Sequence, residues 1–214
     1  MISFPIQLDE LFADIGVAEA SLTPSDPRSL LETRGGSIET MNIGQWLWHG
    51  TVSVNVKHAA NQRRAEAAIE VLKQAGASFL ATDLRQKFPI ADLSGSELGS
   101  ATPLLSQIEE NRQQVGVSGL PGGYKLSQGD LFSFRYGEVY ALHRVVRDVV
   151  ANAAGDIPAL DVFPRVSINA VIGAQITLSF PVCKAVMRPG SYAPSRHLPG
   201  YADGMTFEWV QSLR

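Results

Sequence analysis

Asp130-Leu-Phe-Ser-Phe-Arg-Tyr136, Gly137-Glu138, Val139-Tyr-Ala-Leu-His-Arg-Val-Val146 is the stretch whose reading decides the fold. Two β-prone runs flank a two-residue turn that opens on Gly137. That is the signature of a type II′ hairpin, whose first turn residue needs a positive φ. Pairing through the turn sets Tyr136 opposite Val139, Phe134 opposite Ala141 and Phe132 opposite His143. Side chains alternate across a strand, so Phe132, Phe134, Ala141, His143 and Val145 share one face, the presumed core face.

The β texture spreads both ways from this hairpin. Downstream come the Asn152-Ala-Ala-Gly155-Asp156 turn, an apolar stretch around Leu160 to Phe163, and alternating Ile176, Leu178 and Phe180. Val182 to Arg188 reads as the last core strand. Upstream, Trp46, Trp48, Val52, Val54 and Val56 occupy even positions while Thr51, Ser53, Asn55 and Lys57 occupy odd ones, which predicts a long half-buried strand. Gln62 to Ala75 is the one strongly helical segment: Ala65, Ala68, Ile69, Leu72 and Ala75 form a small-residue stripe suited to close packing on a sheet. Asn61 reads as its N-cap and Gly76 as its stop. Ala77 to Asp83 reads as a strand returning to the same sheet.

Two segments break the pattern. Residues 91–123 are punctuated by Gly95, Gly99, Pro103, Gly116, Gly119, Pro121, Gly122 and Gly123, with one helix-like patch from Leu104 to Arg112, and read as an inserted long loop or arm. Residues 191–214 begin Pro/Gly-rich, end in the β-prone Met205 to Val210, and read as an extended C-terminal arm. The expected organisation is one β-barrel-like domain over 1–190 plus that arm. Its fold class is mostly β, a β-barrel or sandwich with one flanking α-helix. Aromatics supply large contact area at low entropy cost, so the candidate subunit-interface residues are Trp46, Trp48, Tyr192, Tyr201, Phe207 and Trp209.

Composition narrows the function classes. The 214 residues carry 18 Lys+Arg against 21 Asp+Glu, a formal charge of −3, and only 18% charged residues. That balance argues against a nucleic-acid clamp, which needs clustered cations, and the weak self-repulsion favours association with other chains. The 45% hydrophobic content excludes a disordered chain. The single cysteine, Cys183, sits in an apolar run and reads as a small buried hydrophobe that forms no internal disulfide. No basic-then-apolar leader opens the sequence, and the uncharged stretch Val166 to Cys183 is too polar for a bilayer. A soluble protein of a reducing compartment is expected.

Chemistry-bearing motifs are scarce. Gly119-Leu-Pro-Gly-Gly123 matches neither a dinucleotide fingerprint nor a phosphate loop, and no G-x-S-x-G elbow surrounds a serine. His49, His58, His143 and His197 stand alone, without the paired spacing of metal ligands. His143 reads as a core histidine hydrogen-bonded to backbone, and Asp130 as a turn cap. No cofactor, metal or catalytic residue is expected.

Several stretches together resemble a known family: Gln45-Trp-Leu-Trp-His-Gly-Thr-Val-Ser-Val54, the helix Arg63 to Leu72, Gly76 to Asp83, Leu120-Pro-Gly-Gly-Tyr-Lys-Leu-Ser-Gln-Gly-Asp-Leu-Phe-Ser-Phe-Arg-Tyr-Gly137, Tyr140 to Val145, and Val162-Phe-Pro-Arg165. They resemble the tail-tip structural proteins of long-tailed bacteriophages, within them the distal tail or baseplate hub class. The resemblance covers roughly 28–190. It implies a tail-tube or tail-hub-like barrel or sandwich and a homo-oligomeric ring, commonly a hexamer. It further implies neighbouring tail-tube and hub or fibre proteins as partners, and a place in the virion tail tip after synthesis in the host bacterial cytoplasm. It implies no catalytic residues, nucleic-acid specificity or membrane insertion. The alternative reading is a β-barrel that binds a small ligand or carbohydrate, or an unrecognised hydrolase, with Trp46, Trp48, Tyr140 and His143 around a concavity.

Overall fold

Turn chemistry and alternation build two large sheets and three two-stranded ones from the described residues. The computed structural model describes residues 3–7, 17–54, 59–195, 197–198, 201–202 and 204–214. Its elements are β1 (Val17–Ala20), β2 (Arg28–Glu32), β3 (Ile38–Asn42), β4 (Trp48–Val54), α1 (Ala59–Val71), β5 (Phe79–Ala81), β6 (Leu104–Ile108), β7 (Gln114–Ser118), β8 (Leu131–Tyr136), β9 (Val139–Val145), β10 (Ile157–Phe163), β11 (Cys183–Met187) and β12 (Met205–Gln211), with several two-residue ladders between them.

The hairpin around Gly137 is β8–β9, with the expected register: Tyr136 pairs with Val139, Phe134 with Ala141 and Phe132 with His143. Gly137 has φ +55°, the conformation its turn position requires. The hairpin belongs to a six-stranded sheet in the order Ile176–Thr177, β8, β9, β10, β7, β6. A bridge from Leu104 to Gln175 joins its two edges, and the Leu105 amide donates to the Ala174 carbonyl at 2.9 Å. The sheet is thus a nearly closed barrel, which leaves few unpaired edge groups. Phe132, Phe134, Ala141 and Val145 face its interior with Leu105, Val115, Val117, Ile157 and Leu160.

The other large sheet draws its strands from outside the barrel segment. Its order is β1, β4, β12, β11, β5, with Thr23–Pro24 also on β4. Helix α1 packs on it: Ala65 and Ile69, with Leu72 just past the helix end, share a core with Trp48, Val52, Phe79, Cys183, Ala185, Phe207 and Trp209. This core also takes in Leu131 and Leu142, which point outward from the barrel. Covered on both faces, β8 therefore runs buried from Leu131 to Phe134.

Several expectations need correction. The segment 91–123 is not a loop or arm throughout, because Leu104–Ile108 and Gln114–Ser118 are barrel strands, and the patch Leu104 to Arg112 is extended rather than helical. The C-terminal segment is not an arm throughout, because Met205–Gln211 is an interior strand between β4 and β11. The chain therefore carries two hydrophobic cores rather than one barrel with reaching segments, and Cys183–Met187 is not its last core strand. Helix α1 starts at Ala59, two residues before the expected cap Asn61. Strand β4 starts at Trp48, which leaves Trp46 outside it; Asn55, Val56 and Lys57 lie outside the described residues.

Trp209 is 2% exposed. Trp209→Ala should therefore lower unfolding stability by roughly 3–5 kcal/mol in urea titration, the cost of emptying a large aromatic site. A residue on a solvated arm would leave the midpoint unchanged.

Candidate subunit interface

Residues Asp26 to Ile43 form a ribbon unlike the rest of the molecule. Strands β2 and β3 pair in register, from Arg28 with Asn42 at the root to Glu32 with Ile38 near the tip. The tip is closed by side chain and backbone together: the Thr33 amide donates to the Ser37 carbonyl at 3.0 Å, and the Ser37 amide to the Thr33 hydroxyl at 3.3 Å. At the root, Arg28 grips Asp26 through two hydrogen bonds of 2.7 and 2.6 Å, and the Ile43 amide donates to the Pro27 carbonyl at 2.8 Å. Hydrogen bonding from Arg28 holds the Asp26 carboxyl below its ordinary range.

Every residue of both strands is exposed. Alternation places Leu30, Glu32, Ile38 and Thr40 on one face, and Ser29, Leu31, Glu39 and Met41 on the other. Leu30 is 58% exposed, Leu31 61%, Ile38 63% and Met41 66%, with Ile43 at 70% beside the root. Scattered exposed apolar residues are ordinary, but five on one ribbon are a patch, and patches of this kind mark contact sites. A two-stranded ribbon is marginal alone, and among the described residues neither of its outer edges pairs with another strand.

The aromatic residues expected at an interface divide. Trp48 is fully buried, its indole N–H donating to the Leu142 carbonyl at 2.7 Å. Phe207 and Trp209 are buried with it and pack edge-on against Phe79, at 6.1 and 6.3 Å between centroids. These three fill this chain's own core and present nothing to a neighbour. Trp46 is half-buried, edge-on to Phe163 at 4.9 Å, with the Arg28 guanidinium 5.8 Å from its ring. Tyr192 is half-buried beneath the Lys73 ammonium, 4.0 Å from its ring. Tyr201 pairs through its backbone with Leu198, and its side chain lies outside the described residues. The sequence reading passed over Leu30, Leu31, Ile38, Met41 and Ile43. The signal for them was Gly35-Gly36 between the short runs Arg28 to Glu32 and Ile38 to Asn42, a hairpin mark.

The residues of the ligand-binding alternative do not converge. A cavity of about 340 Å³ is bordered by Trp46, His143, Arg165, Asn169 and Gln211, but by neither Trp48 nor Tyr140. The His143 ring stacks on Phe134 at 5.3 Å, and its Nδ1 lies 2.9 Å from the Pro164 carbonyl. A carbonyl only accepts, so Nδ1 carries the proton and Nε2 is left as a bare acceptor, buried and without a partner. Asp130, fully buried, accepts from the amides of Ser127 at 2.7 Å and Ile90 at 2.9 Å and from the Gln86 side chain at 2.9 Å. These bonds tie loop ends down, the capping role expected of it. Cys183 is buried, and burial pushes its thiol pKa up, away from the reactive thiolate. Among the described residues no three His, Cys, Asp or Glu lie close enough to hold a metal ion, and no helix is long and apolar enough to cross a membrane.

No protein-family model matches this chain, and no curated protein matches it.

Burial pushes the His143 pKa down to about 4, against a smaller opposing pull from the Pro164 carbonyl. The unfolded chain takes up a proton near pH 6.5 that the folded chain refuses, so stability falls as pH drops through that window. This one group should remove about 2 kcal/mol between pH 7 and pH 5. Urea titrations at the two pH values would read it, and His143→Phe should flatten the difference.

Proposed function

We propose that this chain is a self-assembling structural subunit of a long-tailed bacteriophage tail tip. In this reading its copies form a ring that continues the tail tube and connects it to hub or fibre proteins. The observation that carries the self-assembly is the ribbon Arg28–Asn42, whose apolar side chains are exposed on both faces. Burying such residues is worth about 25 cal/mol per Å², and on its own chain the ribbon collects almost none of it. Only a partner surface supplies the missing burial. The low net charge of −3 supports the same reading, since like copies approach with little repulsion. The tail-tip assignment itself rests on the resemblance of the Trp46–Trp48 stretch, the α1 segment and the Leu120–Gly137 stretch to distal tail proteins. Within that class the ring would be cyclic, commonly hexameric, and its place would be the virion.

The test is the assembly state of the purified chain. Light scattering and negative-stain imaging should give a closed ring, with subunit interfaces above roughly 1,000 Å². Leu31→Ser combined with Met41→Ser should dissociate it while shifting folding stability by no more than about 0.5 kcal/mol, because both side chains are solvated in the single copy. A chain that stays monomeric at high concentration and in tail preparations would overturn the proposal.

A further inference from the structure

We infer that the ribbon β2–β3 of one copy seats in a groove at the end of α1 on the next copy. The inference rests on the ring reading above and names the two surfaces that would make the ring. The groove has a volume of about 870 Å³ and is bordered by Leu72 and Lys73 just past the end of α1, Lys184 and Val186 of β11, Tyr192 and Arg214. Among the described residues none of its bordering side chains is a carboxylate, and none belongs to the ribbon. Glu66 and Glu70 of α1 are near enough to act on the Tyr192 phenol but do not border it.

Three properties match ribbon to groove. The first is shape. A flat surface would cover one face of the ribbon, whereas Leu30 and Ile38 are exposed on one face and Leu31 and Met41 on the other. A groove contacts both faces at once, and five paired residues span about 17 Å at strand rise. The second is apolar content, since the half-buried Val186, Met187 and Tyr192 offer the ribbon the burial its own chain withholds. The third is charge. Each ribbon face carries one glutamate near the tip, Glu32 on one and Glu39 on the other, with Arg34 in the turn between them, and the groove carries cations from separate segments, Lys73 just past α1 and Lys184 on β11. Among the described residues none of these two glutamates and two lysines pairs with an opposite charge within its own chain.

Ribbon and groove are different surfaces of one molecule, so their contact runs head to tail. Such a contact gives every copy one donor and one acceptor, and a chain of copies closes into a ring when the rotation per step permits.

Charge exchange tests the pairing on the full chain. Glu32→Lys with Glu39→Lys, and separately Lys73→Glu with Lys184→Glu, should each weaken association about a hundredfold in sedimentation, with melting temperatures unchanged. The chain that carries all four substitutions should reassemble. Should the change at half-buried Lys184 lower the melting temperature, Lys73→Glu with Arg214→Glu replaces that arm of the test. Assembly that survives both pairs of reversals overturns the docking and leaves the ring reading standing. Dissociation by both without recovery in the fourfold variant also overturns the docking. A monomeric wild-type chain overturns both.

Discussion

Two backbone carbonyls of β9, those of Tyr140 and Leu142, hold the molecule's two sheets together. Both lie on the side of β9 turned towards β10, whose pairing with β9 covers only Arg144 and Val145. Left open by that short ladder, they are taken by the other sheet. The Trp48 indole donates to Leu142 at 2.7 Å, and the Gln211 amide donates to Tyr140 at 3.3 Å. Gln211 in turn accepts from the Trp48 backbone at 3.2 Å, so one side chain from β12 and one from β4 act as a unit. A buried carbonyl without a donor costs about 1–3 kcal/mol, and here two would be orphaned together. Leu131 and Leu142 fill the space around this stitch, and the Val182 amide donates to the Ser133 hydroxyl at 3.1 Å on the same side. Barrel and outer sheet are therefore fixed to each other by hydrogen bonds that neither could satisfy alone.

What the sequence made legible follows from how local each interaction is. The β8–β9 register is set by the Gly137 turn and by alternation on either side, both contained in seventeen residues, and it is as read. Helix α1 and its buried face are local in the same sense. The position of β12 is not, because it pairs with β4 some 150 residues away. Sequence records only that Met205 to Val210 is β-prone and aromatic, which suits an interior strand and a docking arm equally. Trp48, Phe207 and Trp209 were misplaced for the same reason, since a large aromatic seeks burial whether its own core or a neighbour supplies it.

Glycine misled the reading of 91–123. Gly116 lies within β7, where a Cβ would come 2.6 Å from the Ser106 hydroxyl and 3.0 Å from Gln107, beside the bulge in β6 between Leu105 and Gln107. Its absent side chain marks a close approach of two strands, not a loop. The ribbon β2–β3 presents the opposite case. Its Gly35-Gly36 signal is plain, but a hairpin whose strands bury nothing leaves no core pattern to find.

That asymmetry bears on assembly. The β8–β9 hairpin is covered on both faces, and the barrel's edges meet across Leu104 and Gln175, so the parts of the fold with the strongest β signal have little left to offer a neighbour. In the proposed assembly, contact would be built from what the cores do not use: the ribbon, the groove by α1, and a short apolar loop in which Ile168, Val171 and Ile172 are each more than half exposed. Of these only the ribbon is extended, with free strand edges and both faces available. Its root is fastened by Asp26, Pro27 and Trp46, and its tip by Thr33 and Ser37, so its order is partly in place within the single chain. A preorganised element loses less entropy on docking than a coiled arm of equal length. Such an element concentrates exposed apolar surface in one place, and in the proposed ring that place would set the direction in which copies add.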